Sequence, residues 1–227
     1  MTQPNRLRFF RANDARTNSS GRGFTLIEIA LVLTIISLLV GGILRGQALI
    51  RNTKIRTLYN QYKELVAAVT AYQERYHFLP GDDLQASSRF AVPVGAGLPP
   101  ITNGNGNGLI DDGDKLGAGG ACTAGMTQNE SCQALYHLRL AGIISGRDTV
   151  SPAHAFGGGL IISKGSAMIK DWNTPTSICY LGLTAEVARD MESSYDDSIA
   201  GAGVMRGGNN YMTGSSDALA GSVCILF

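Results

Sequence analysis

The sequence has little charge and almost no net charge. Only 16% of its 227 residues are charged, and 19 Lys and Arg against 18 Asp and Glu leave a formal +1. That balance excludes a basic nucleic-acid-binding domain and a disordered polyelectrolyte, and 44% hydrophobic residues are enough to fold. Histidine is scarce: His77, His137 and His154 share no spacing with Cys or Glu that a zinc site needs. A nucleophile elbow and a paired-carboxylate pattern are missing too. Gly157-Gly158-Gly159 lacks the Lys and the strand-turn-helix context of a phosphate loop. The chain is therefore expected not to be an enzyme. Cys122, Cys132, Cys179 and Cys224 form no C-x-x-C motif, and their wide spacing reads as disulfides in an oxidising compartment, with three pairings open.

What charge there is lies unevenly. Residues 1 to 23 carry Arg6, Arg8, Arg11, Arg16 and Arg22 against the single acid Asp14. Phe24 to Leu44 then reads FTLIEIALVLTIISLLVGGIL, 21 residues with one charge, Glu28. At about 1.5 Å per residue such a helix just crosses a bilayer core of roughly 30 Å. The positive-inside rule keeps 1–23 cytoplasmic and sends the rest of the chain outward, where disulfides can form. A secretory signal has a shorter apolar core and a small-x-small cleavage site, whereas LRGQALIR follows here. Glu28 inside the apolar run costs roughly 2.5 to 3.5 kcal/mol and asks for a partner.

The string Gly21-Arg22-Gly23-Phe24-Thr25-Leu26-Ile27-Glu28 resembles the cleavage and methylation signal of type IV prepilins and pseudopilins. In that signal a basic leader ends in Gly, and Phe-Thr-Leu-Ile-Glu opens the apolar helix. The resemblance implies that a membrane-embedded prepilin peptidase cuts between Gly23 and Phe24 and N-methylates the new Phe24 amine. It also implies an inner-membrane assembly platform and other pilin or pseudopilin subunits as partners, with membrane lipid around the helix before assembly and no nucleic acid. The mature subunit is then a single-pass inner-membrane protein with a periplasmic domain, passing into a surface pilus or a periplasmic type II secretion pseudopilus. Cleavage leaves an ammonium at Phe24 that the Glu28 of a stacked neighbour can neutralise, turning two charges costly in lipid into one pair. An alternative reading is a membrane-anchored extracytoplasmic binding or enzymatic domain with an uncleaved signal anchor.

Beyond Gly41, Gly42 and Gly46 helical periodicity resumes, with Ile55, Leu58, Tyr62, Leu65, Val69, Tyr72 and Tyr76 at alternating spacings of three and four. One long helix is expected over about 24–77, apolar all round at first and amphipathic later, ending before Pro80-Gly81. The 29 glycines, nearly double the usual share of about 7%, lie mostly beyond residue 80 and predict loops there. Thr127-x-x-Glu130 reads as a capping box for a helix over about 128–141, and Thr184 as the N-cap of one over 185–194. Strands are expected at Leu160–Ser163, Ser166–Ile169, Ile178–Leu183, Asn210–Thr213 and Val223–Phe227. The fold class is α+β: a long N-terminal helix on a small antiparallel sheet with loop-rich insertions, which is also the pilin-like fold the resemblance implies. The organisation is a leader (1–23), a transmembrane and assembly half-helix (24–50) and an extracytoplasmic globular domain (51–227). The resemblance extends through Tyr76–Asp83, with weaker echoes in Leu138–Gly142 and in Asp196-Asp197 ahead of Gly203 and Arg206. Asp196-Asp197 has two readings, a second acidic site or, as adjacent acids in a loop more often are, solvated surface.

Asn103, Asn105, Asn107, Leu109, Asp111 and Asp114 follow the spacing of a calcium loop. Oxygen side chains stand at positions 1, 3, 5 and 12, Gly108 at the sixth place, the Leu109 carbonyl at the seventh and an acid at the ninth. Three usual Asp positions are Asn, so the expected Ca2+ affinity is weak, roughly 0.1 to 1 mM. The competing reading is an Asn-Gly turn cluster. Among the cysteine pairings we choose Cys122 with Cys132, which closes a short loop onto the 128–141 helix. Cys179 with Cys224 would tie an internal strand to the last one, and resembles the disulfide bounding the variable region of many pilins.

Overall fold

The computed structural model describes residues 23–91, 97–111, 121–126, 129–169, 172, 174, 176–208, 211–212 and 221–227. The chain divides into two compact units, one ending at Gln47 and the other running from Ala48 to Phe227. Helix α1, Leu26–Tyr76, begins in the first. There its large apolar side chains, Leu26, Ile27, Leu38 and Leu44 among them, are exposed. It is the one helix among the described residues long and apolar enough to cross a membrane. Gly41, Gly42 and Gly46 remain helical, and a Cβ at any of them would meet nothing.

In the second unit α1 becomes one-sided, burying Ile55, Leu58, Leu65, Ala68, Val69 and Tyr72, with Tyr62 and Tyr76 partly covered. This is the stripe the three-four spacing predicts. It packs with a four-stranded antiparallel sheet of β1 (Leu160–Ser163), β2 (Ser177–Leu181), β3 (Met205–Gly207) and β4 (Ser222–Leu226), ordered β1-β2-β4-β3. Two tyrosines bind helix to sheet through carbonyls. The Tyr180 hydroxyl donates to Leu58 O, and the Tyr62 hydroxyl donates to Leu226 O at 2.7 Å. Helix α5, Ala185–Tyr195, is capped by Thr184, whose side chain accepts from Val187 N, and Arg51 of α1 pairs with its Glu186 and Asp190. The α+β architecture of a long N-terminal helix with a small antiparallel sheet is as expected from the sequence.

Three local expectations need correction. Ser166–Ile169 is not a strand: residues Gly165–Met168 form a single helical turn, α4, closed by Ile169 N donating to Gly165 O at 2.9 Å. The chain must turn there because Gly165 lies so close to Trp172 that a Cβ would stand 2.7 Å from the Trp172 carbonyl oxygen. In the expected strand Asn210–Thr213, Tyr211 and Met212 lie in a turn, and Asn210 and Thr213 fall outside the described residues. The edge position goes instead to β3, which pairs Met205 with Ile225. Helix α3, Glu130–Leu140, starts from Asn129, so Glu130 is its first residue and not the third of a capping box; Thr127 lies outside the described residues. A short helix α2, Ala86–Arg89, follows α1.

Candidate functional site

The signal segment opens α1. Gly23, Phe24 and Thr25 precede the helix, and Phe24 is 82% exposed. Thr25 N and Oγ1 both donate to Glu28 Oε2, at 2.8 and 2.7 Å, while Glu28 N donates to Thr25 Oγ1 at 3.3 Å. This reciprocal arrangement is a capping box, which satisfies helix-end donors and sets a carboxylate at the positive pole of the helix. Sequence reasoning singled out Glu28 and missed Thr25, although the Thr-x-x-Glu spacing was there to be read. A Cβ built at Gly23 meets no atom within 4 Å. Among the described residues, nothing in the packing therefore requires glycine at that position.

The loop of the expected calcium ligands is built around carboxylates from elsewhere. Asp82 accepts from Asn107 N at 3.1 Å and Gly108 N at 2.7 Å; Glu130 accepts from Asn105 N at 3.0 Å and Asp111 N at 2.8 Å. Asn105 and Asn107 turn the backbone through their own side-chain oxygens, which accept from Asn107 N and Leu109 N. The Asn103 side chain accepts from Ser87 N at 2.8 Å. Asp111 is held by Lys164 Nζ at 2.5 Å and by Asn107 Nδ2 at 2.8 Å, and Lys164 keeps its carboxyl below the usual range. Glu130 goes the other way, raised chiefly by burial. Asp114 lies outside the described residues. Gly104 packs so tightly that a Cβ would fall 2.3 Å from Asp82 Cα.

Beside this loop the end of α1 is tied to α3. The buried Asp83 carboxylate accepts from the Tyr72 hydroxyl at 2.8 Å and pairs with Arg89 at 3.3 Å. Gly81 N donates to Nδ1 of His137 at 3.0 Å, and the opposite ring nitrogen lies 3.2 Å from Thr102 O. With Nδ1 accepting, the imidazole is neutral and Nε2 carries the proton. Burial pushes His137 down to about 4. Spacing did not single out Asp82 and His137, and it marked Glu130 only as a capping-box residue, since each acts on a segment distant in sequence.

Disulfides join Cys122 to Cys132 and Cys179 to Cys224. Cys179 and Cys224 face each other directly in the register of β2 and β4. Trp172, 5% exposed, packs in one cluster with all four cysteines.

No curated protein and no solved structure matches the chain. The model of the prokaryotic N-terminal methylation motif does match, over residues 18–44. That span covers the end of the leader, Gly23, Phe24, the Thr25–Glu28 capping box and the exposed apolar turns of α1. The chain thus carries, where α1 opens, the type IV pilin and pseudopilin signal, which points to a membrane-anchored structural subunit.

Proposed function

We propose that the chain is a structural subunit of a type IV pilus or of a pilus-like type II secretion pseudopilus, processed by prepilin peptidase and polymerised through its N-terminal helix. One observation carries this reading: the methylation motif opens a helix whose first half is apolar on all sides and buried nowhere, with Glu28 as its lone acid. Such a surface needs lipid or other helices around it. Cleavage at Gly23 frees the Phe24 amine beside Glu28 and removes the arginine-rich leader that holds the helix to the cytoplasmic face. A glycine that no described residue packs against is explained by the approach of a peptidase to the backbone. Co-expression with a prepilin peptidase tests this. The wild-type chain should shorten and Gly23→Leu should stay full length; equal processing of both contradicts the reading.

Calcium at residues 103–114 is a subsidiary proposal. It is supported by the calcium-loop spacing and by the Asx turns at Asn105 and Asn107, and an ion there must compete with Lys164 for Asp111.

A further inference from the structure

The C-terminal end of α5 holds an acidic group unrelated to the signal segment and to the 103–114 loop. Glu192, Asp196 and Asp197 each bring one carboxylate oxygen to within 4.8 Å of the others. That separation is what two ligands on opposite sides of a calcium ion show, because calcium–oxygen distances run from about 2.3 to 2.6 Å. Neutral donors hold one oxygen of each acid. The Tyr211 hydroxyl donates to Glu192 Oε2 at 2.5 Å, Met205 N donates to Asp196 Oδ2 at 2.6 Å, and Ile199 N donates to Asp197 Oδ1 at 2.8 Å.

The second oxygen of Glu192 is the telling atom. Glu192 is 0% exposed, and its Oε1 is shut off from solvent with no hydrogen-bond partner. An orphaned buried carboxylate oxygen costs several kcal/mol on the usual scales unless a proton or a cation meets it. Among the described residues no Lys or Arg forms an ion pair with any of the three acids. Burial, with the charges of Asp196 and Asp197, drives the Glu192 carboxyl upward. The group therefore stores repulsion that a cation would relieve, at the negative pole of a helix where cations are favoured. The backbone is also fitted closely to the Asp196 carboxylate. Gly203 has φ +67°, and a Cβ there would fall 2.2 Å from Asp196 Oδ2. Asp196 is half-buried and Asp197 exposed, which gives an ion and its waters a way in.

We propose that Glu192, Asp196 and Asp197 bind a calcium ion that locks the end of α5 to the segment leading into β3. Three carboxylates suit a hard cation taking oxygen ligands, and a set including a residue of fixed, buried position favours calcium over the more tightly hydrated magnesium. The ion crosslinks α5, through Glu192, to the chain that Asp196 anchors at Met205.

The test uses the full chain in detergent, stripped with a chelator and titrated with calcium or magnesium by calorimetry. A background carrying both Asp111→Asn and Asp114→Asn removes the two carboxylates proposed as calcium ligands in the 103–114 loop, so that binding there is not counted. In that background the proposal expects one calcium per chain, with magnesium at least tenfold weaker. Adding Glu192→Gln should abolish calcium binding, and adding the exposed Asp197→Asn should weaken it at least tenfold. Glu192→Gln keeps an acceptor for Tyr211, so without calcium it should melt no lower than its parent, and calcium should raise only the parent. Two results overturn the proposal: no calcium uptake in the background chain, which leaves Glu192 as a proton-sharing carboxyl, or uptake that survives both added substitutions.

Discussion

Glu28 is bonded within its own chain to Thr25, through hydrogen bonds that a stronger partner can replace. The proposed partner is the Phe24 ammonium of a neighbouring subunit, and an ion pair sheltered from water outweighs neutral donors. Glu28→Ala should therefore insert into the membrane normally, since it removes an insertion cost of roughly 2.5 to 3.5 kcal/mol, yet fail to co-assemble with wild-type subunits. Normal incorporation of the variant into filaments would contradict charge pairing. His137 makes a second residue-scale prediction. Its folded-state value is about 4 against about 6.5 for the unfolded chain, so the unfolded state takes up protons first on acidification. The stabilisation is complete above pH 6.5 and is lost progressively down to about pH 4, at most about 3 kcal/mol. Melting temperature measured from pH 7 to pH 4 should fall accordingly, and His137→Gln, less stable at neutral pH, should show a flatter profile. An unchanged slope in that variant would place the titration elsewhere.

At the scale of elements, the two disulfides should differ in weight. Cys179–Cys224 closes a 45-residue separation and Cys122–Cys132 one of 10. On the chain-entropy estimate these are worth about 4 and about 3 kcal/mol. Cys179→Ala with Cys224→Ala should lower the melting temperature more than the other pair of substitutions, and hydrogen exchange should show β4 opening first. The calcium proposal for 103–114 has its own signature. Lys164→Ala frees Asp111 from its internal cation, so calcium should raise the melting temperature of that variant more than of the wild type, and Asp114→Ala should remove the effect. Equal shifts in all three chains would leave the loop a turn cluster.

These elements also separate what was legible in the sequence from what was not. The spacing of Ile55 through Tyr76 depends only on neighbours along α1, so it could be read directly, as could the Thr184 cap. Residues 166–169 are a short, mostly apolar run that reads as a strand, but a contact between Gly165 and Trp172 decides the turn. The Asn-Gly repeat announced a loop oriented by side-chain oxygens. Its carboxylate partners stand 25 residues away, Asp82 before it and Glu130 after it, and no local pattern marks them. Edge strand β3 is three residues long, too short for a period of two to show.

For the whole molecule, the two units divide labour. The unit from Ala48 onward buries its own core, stitched by two disulfides and the tyrosine bridges to α1. The helix before it buries nothing and carries the methylation motif. The central claim is that this N-terminal part is matured for assembly with other helices. The most direct test is the intact mass of the chain isolated from the envelope of cells that express it with a prepilin peptidase. The account predicts a mass for residues 24–227 plus one methyl group, with the modification mapped to the Phe24 amine. A chain that still begins at Met1 or Thr2 would contradict it and favour an uncleaved signal anchor.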